Sequence, residues 1–210
     1  MIRVLIADDH AILRRGLKEI LVRELQGAVC GEANDAAQTL ARIQEGHWDL
    51  VILDITMPGR SGLEALRDLK AARPKLPVLV LSMHPEDQYA KRMLRAGASG
   101  YMNKESAPEE LIEAVRKLLG GGRYVSRALA EKLASDLHPD AGRPIHEILS
   151  DREFEVLRMI AAGKTVSQIA RDLHLGVTTI STYRARILEK MHMATSAELM
   201  HYALHTRLID

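Results

Sequence analysis

Three acids in this chain stand where apolar runs end. "RVLIADD" closes on Asp8 and Asp9, and "LVILD" closes on Asp54. Two further runs end in polar groups: "VLVLS" in the hydroxyl of Ser82, and "SGYMNK" in the ammonium of Lys104. Carboxylates brought together repel, and that repulsion calls for an opposing charge. No His/Cys cluster offers a zinc site, whereas a hard divalent cation such as Mg²⁺ takes carboxylate, carbonyl and water oxygens and shares its octahedron with phosphate. Aspartate is also a nucleophile that can form an acyl phosphate. A metal and Lys104 would neutralise the group being transferred, and the Ser82 hydroxyl would hydrogen-bond it.

These residues can meet only if the elements carrying them are arranged to let them. The first part of the chain alternates short β-branched runs (3–7, 28–33, the run ending at Asp54, 77–82, 99–104) with helical patterns. "HAILRRGLKEILVREL" spaces Ile12, Leu13, Leu17, Ile20, Leu21 and Leu25 as one helix face. "NDAAQTLARIQEG" carries an Asn-Asp cap signal and a closing glycine, and "APEELIEAVRKLLGGG" has proline at a helix start. Five strands alternating with five helices imply a parallel sheet covered on both faces. In such sheets ligands bind beyond the carboxyl ends of the strands, where the strand order reverses. Asp8, Asp9, Asp54, Ser82 and Lys104 would therefore share one cleft.

"IADDH", "LDITMPGRSGLE", "VLVLSMH" and "GASGYMNK" resemble, in order and spacing, the receiver domain of two-component response regulators. The resemblance implies a flavodoxin-like (βα)5 domain over residues 1–122, phosphorylated by a sensor histidine kinase. Asp54 would be the phosphoacceptor. Asp8, Asp9 and Asp54 would hold Mg²⁺ together with the backbone carbonyl of Thr56. Ser82 and Lys104 would contact the phosphoryl group, and Tyr101 matches the aromatic that turns inward when the hydroxyl residue moves. Asn103 departs from the pattern, which favours an apolar residue before the lysine. Asp9 has a plainer reading as a helix cap, Met57 and Pro58 as loop-shaping residues, and Cys30 as a small core residue. The histidines read as surface or cap residues.

Residues 123–145 read as a linker with one short helix (Ala128, Leu129, Leu133, Leu137) between Gly and Pro. From 146 to 210 the pattern is wholly helical. Ser150 with Glu153 forms a capping signature. "TVSQIARDLHLGVTTISTYRARILEKM" reads as helix, glycine-containing turn, helix. At about 100° per residue, Val177, Ile180, Ile187 and Met191 form a stripe for the core, and Thr178, Ser181, Thr182, Ala185 and Glu189 lie opposite. Arg184, Arg186 and Lys190 flank that small polar face and could reach phosphates. The whole region resembles the LuxR-type (NarL/FixJ) DNA-binding domain, a four-helix helix-turn-helix unit. That resemblance extends the candidate contacts to double-stranded DNA to Thr178, Thr179, Ser181, Thr182, Tyr183, Arg184, Ala185, Arg186 and Lys190. Most members carry Lys at Ser181 and His at Tyr183; Lys164 stands where an apolar residue is frequent. Leu199, Met200, Ala203 and Leu204 offer a seam for a homodimer or for core packing, and RNA polymerase is a further partner the family allows.

Composition narrows the class. The net charge of +1 implies no partner by itself, and residues 146–210 hold 8 Lys+Arg against 8 Asp+Glu. DNA binding must then rest on local charge placement and on two copies acting together. No apolar run approaches the roughly 18 residues of a membrane span, the N-terminus does not read as a signal peptide, and the single Cys30 suits a reducing cytoplasm. The expectation is a cytoplasmic, phosphorylation-dependent transcription regulator that is an enzyme only toward its own phosphoryl group. Two rivals stand beside it. An aspartate-nucleophile phosphatase would need a second acid two residues after Asp54, where Thr56 stands. A signalling adaptor would use the helical domain to bind protein.

Overall fold

The computed structural model describes residues 1–57, 62–83, 86–106, 108–135, 144–206 and 208–209. Pro58, Gly59, His84 and Leu137, used in the sequence reading, lie outside them. The chain divides into two compact units, Met1–His138 and Pro139–Asp210.

The first unit alternates as its hydrophobic pattern requires: β1 (Ile2–Ala7), α1 (Ala11–Glu24), β2 (Ala28–Ala33), α2 (Ala36–Glu45), β3 (Leu50–Asp54), α3 (Gly62–Ala72), β4 (Val78–Ser82), α4 (Glu86–Arg95), β5 (Gly100–Asn103), α5 (Pro108–Leu119) and α6 (Arg127–Ser135). The strands form one parallel sheet in the order β2-β1-β3-β4-β5. The order reverses between β1 and β3, which puts a crevice at their carboxyl ends.

Every residue of β3 and β4 is buried. Side chains alternate across a strand, and here both faces are covered. Val4, Ile6, Leu50, Ile52, Leu79, Leu81 and Met102 pack with Leu17 and Leu21 of α1 and Leu111, Val115 and Leu118 of α5. Leu5, Ala7, Val51, Leu53, Val78, Val80 and Tyr101 pack with residues of α2, α3 and α4. The segment read as a linker does not all hang free. Leu129 of α6 is 4% exposed and belongs to this second core, with Leu133 packed against it.

Local signals set the helix ends. Asp35 caps α2, its carboxylate accepting from the Gln38 N–H. Helix α1 starts after His10, which makes no side-chain cap bond, so Asp9 is not consumed as a cap. Gly62 opens α3 so close to β3 that a Cβ there would run into the Ile55 backbone.

The second unit opens with a 3-10 turn (Ile145–Ile148), then α7 (Asp151–Ala161), α8 (Val166–Asp172), α9 (Val177–Lys190) and α10 (Ser196–His205). The Ser150/Glu153 capping box forms at α7, and Thr165 with Gln168 forms another at α8. Phe154, Val156, Leu157, Ile160, Ile169, Ile180, Ile187, Leu199 and Ala203 make its core. Among the described residues no helix is long and apolar enough to cross a membrane.

Two glycines test this packing in opposite directions. A Cβ at Gly16, inside α1, would meet nothing within 4 Å, so Gly16→Ala should stabilise the first unit by about 0.5–1 kcal/mol through helix propensity. Gly62→Ala should destabilise it by about 1–3 kcal/mol through overpacking against Ile55. Urea unfolding followed by the single Trp48, which lies in this unit, measures both.

Candidate metal centre and candidate nucleic-acid interface

Strand register builds the first site. Ala7 pairs with Leu53, so Asp8 and Asp54 lie side by side, one step further along neighbouring strands. Ser82 pairs with Asn103, so Lys104 follows directly beyond β4 and β5. The alternation of period two then sorts the side chains. Asp8, Asp54 and Lys104 continue the rows of Ile6, Ile52 and Met102, on the α1/α5 face. Ser82 and Tyr101 continue the rows of Val80 and Leu53, on the opposite face.

Lys104 Nζ lies 2.7 Å from Asp8 Oδ2 and 2.7 Å from Asp54 Oδ2. Both carboxylates are 1% exposed. Burial works against the ammonium's charge, but Asp54 and Asp8 outweigh it and hold Lys104 above its ordinary range. Its backbone N–H donates to the Ser82 carbonyl at 2.9 Å. Asp54 Oδ1 accepts from the Thr56 N–H at 2.9 Å and the Thr56 hydroxyl at 2.7 Å. Asp8 Oδ1 accepts from the His10 N–H at 2.7 Å, while Arg14 donates to the Asp8 carbonyl at 2.6 Å. Ser82 and Tyr101 are both fully buried, so the aromatic ring sits inward.

One ligand atom each from Asp8, Asp9, His10 and Asp54 falls within 4.8 Å of the others. Asp8 Oδ2 and Asp54 Oδ2 are buried, and both face the one Lys104 ammonium at 2.7 Å. Three carboxylates against one ammonium leave two negative charges. Buried carboxylate oxygens with spare lone pairs and a deficit of two charges fit a divalent cation. His10 was not anticipated in this cluster; its Nδ1 lies 2.9 Å from Asp9 Oδ1. Its position directly after the two acids was the available signal.

The second site is the exposed side of α9. Ile180, Ile187 and Met191 face the core, but Val177 is 51% exposed, which corrects its place in the buried stripe. It stands at the first turn of α9, where the helix has not yet entered the core. Thr178, Thr179, Ser181, Thr182, Ala185 and Arg186 are exposed, and Tyr183 and Arg184 are half-buried. Arg184 Nε donates to Ser196 Oγ at 2.8 Å. Lys190 Nζ pairs at 2.7 Å with Glu153 Oε2, a carboxylate that is 3% exposed. Two of the three expected phosphate cations thus have partners in their own domain. Lys164 is exposed and pairs with Asp172 at 2.7 Å, which gives the cation at this position a local role. The α10 seam divides: Leu199 and Ala203 are in the core, and Leu204 is 54% exposed.

Comparison with known proteins finds a family for each unit. Residues 4–116 match the family described as "Response regulator receiver domain". Residues 147–203 match "Bacterial regulatory proteins, luxR family". The chain is 35% identical to Response regulator GacA of Pseudomonas viridiflava over 212 aligned positions, covering 100% of this chain and 99% of that protein. It is 33% identical to Response regulator UvrY of Escherichia coli K12, covering 100% and 97%. Among solved structures it resembles RcsB of Salmonella enterica serovar Typhimurium, bound to promoter rprA in the presence of a phosphomimetic, with TM-score 0.66, 28% identity and coverage of 96% and 98%. The chain belongs to the two-component response regulators, those that join a receiver domain to a LuxR-type DNA-binding domain.

The Glu153–Lys190 pair carries a pH prediction. Burial raises the Glu153 carboxyl, but Lys190 and Ser150 outweigh it and hold it below the ordinary range. A depressed acid contributes stability that is present above its unfolded value of about 4.3 and lost as pH falls through the folded value. Lys190→Met should therefore weaken protection of α7 and α9 amides at neutral pH, and its deficit against the parent should shrink below about pH 4. Hydrogen exchange of the full chain across this range measures it.

Proposed function

We propose that Asp54 accepts a phosphoryl group from a sensor histidine kinase and that this regulates binding of promoter DNA by a homodimer through α9. The supporting observation is Lys104 shared between Asp8 and Asp54 at the switch point of the sheet. A carboxylate oxygen of Asp54 attacks phosphorus, the O–P bond forms as the P–N bond of the phosphohistidine breaks, and the imidazole leaves with that electron pair. Asp8, Asp9, Asp54 and the Thr56 carbonyl would hold Mg²⁺, which supplies positive charge to the oxygens of the transferred group. Lys104, kept protonated by its acids, moves its charge toward the same oxygens. Ser82 gives its hydroxyl to them. Tyr101, already inward on the Ser82 face, is the packing element whose equilibrium this displacement biases.

The functional units are residues 1–122 as receiver, 123–145 as linker and 146–210 as the DNA-binding domain. The protein works in the cytoplasm, and its chemistry is confined to gaining and losing its own phosphoryl group. On DNA, Thr178, Thr179, Ser181, Thr182, Tyr183 and Ala185 lie toward the base edges and Arg186 toward phosphate. Arg184 and Lys190 contribute through the domain's shape unless they exchange partners on binding. Contact with RNA polymerase belongs to the same reading.

With acetyl phosphate and Mg²⁺, the parent chain should take up label, and Asp54→Asn or chelation of the metal should abolish it. Label retained by Asp54→Asn at the parent level would refute the acceptor assignment. Arg186→Ala should weaken binding uniformly across duplexes and lower the salt slope by about one.

A further inference from the structure

We propose that α9 reads A·T base pairs, through methyl groups and hydroxyl acceptors, and does not read guanine through a cation. The inference rests on the placement of α9 in a major groove and names what that helix recognises there.

Recognition helices meet base edges with their N-terminal residues. The first seven residues of α9, Val177–Tyr183, contain no charged side chain. The centre of the exposed face, opposite Ile180 and Ile187, falls on Thr178, Thr182 and Ala185, with Ser181 at its edge and Glu189 following in the last turn of the helix. Guanine is read most often by Arg or Lys bridging O6 and N7 with two donors. The helix has three cations that could do this. Arg184 is half-buried and bonded to Ser196. Lys190 is the last residue of α9 and is paired with Glu153. Arg186 is exposed but stands in the third turn, off the centre of the face.

The hydroxyls are also constrained. Ser181 Oγ donates to the Val177 carbonyl at 3.0 Å, and Thr182 Oγ1 donates to the Thr178 carbonyl at 3.0 Å. A hydroxyl has one proton, so each of these offers only lone pairs outward. Thr178 has at most a single donor and cannot bridge O6 and N7. An A·T pair presents the N6 amino donor and the thymine methyl in the major groove, beside the N7 and O4 acceptors. Those complement hydroxyl acceptors beside the methyls of Thr178, Thr182 and Ala185. A G·C pair also offers one donor, the cytosine N4 amino group, but it has no methyl for this face, and the adjacent guanine O6 and N7 acceptors find no two-donor side chain at its centre.

The test is selection of binding duplexes from a random library, with the full chain phosphorylated by acetyl phosphate and Mg²⁺. Half-site cores should be enriched in A·T pairs. Replacing core thymine by deoxyuridine removes only the methyl and should weaken binding about fourfold at one position or more. Ser181→Lys, an exposed change, should introduce guanine at one core position. Guanine-centred cores with no deoxyuridine effect would overturn this inference and leave DNA binding standing. Absence of any enriched duplex would overturn the DNA-binding reading itself.

Discussion

Two buried carboxylates sharing one ammonium set the terms for the first unit. Like charges held within about 5 Å cost on the order of 3 kcal/mol per pair at an effective dielectric constant near 20. Asp8, Asp9 and Asp54 are gathered at that range, and the fold tolerates them only because Lys104 is delivered to the same point by β5. This requires that β1, β3 and β5 end at one level and on one face. The requirement reaches back through register and parity to the whole parallel sheet. It also fixes what can bind: a group that brings positive charge, or one that brings negative charge together with a cation.

The second unit solves a related problem without leaving a site open. Glu153 is nearly as buried as Asp8 and Asp54, but its charge is answered inside the domain. It donates nothing and accepts from the Ser150 N–H and from Lys190. The carboxylate therefore joins the start of α7 to the end of α9 and fixes how the recognition helix lies on its support. Removing one partner of such a pair leaves a buried charge uncompensated. Lys190 is thus better understood as part of the scaffold that presents α9 than as a free arm.

Much of this was legible in the residues. Strands buried on both faces write continuous apolar runs, and Gly, Pro and Asn-Asp punctuate the helices between them, so Leu50–Asp54 and Ala36–Glu45 could be placed from pattern alone. Asp54, Asp8, Ser82 and Lys104 stood out because a polar residue at the end of such a run breaks the pattern. Contacts between distant segments left no such mark. The Ser150–Glu153 box is a local motif and was visible; the bond from Glu153 to Lys190 spans 37 positions and was not. The same holds for Arg184 with Ser196 and for the burial of Leu129. His10 was passed over because a lone histidine has no ligand spacing, although the adjacent acids already defined the cluster.

Parity also supplies a route from charge to packing. A phosphoryl group carries roughly −1.5 to −2 charges, but it replaces the charge of the Asp54 carboxylate to which it bonds. In the proposed mechanism the cluster therefore gains about one negative charge beyond the two already in excess and must rearrange around it. Lys104 is tied through its own backbone N–H to the Ser82 carbonyl. Ser82 belongs to the opposite face of the sheet, next in the row after Val80, the residue that Tyr101 pairs with. A charge introduced among the residues of one face therefore acts on the side chains of the other through β4 and β5. Among the described residues the large polar ring fully buried there is Tyr101, in one cluster with Ala90 and Met93 of α4. In the proposed mechanism, the packing of Tyr101 against α4 is accordingly the contact through which a change in the acidic cluster would reach the other face.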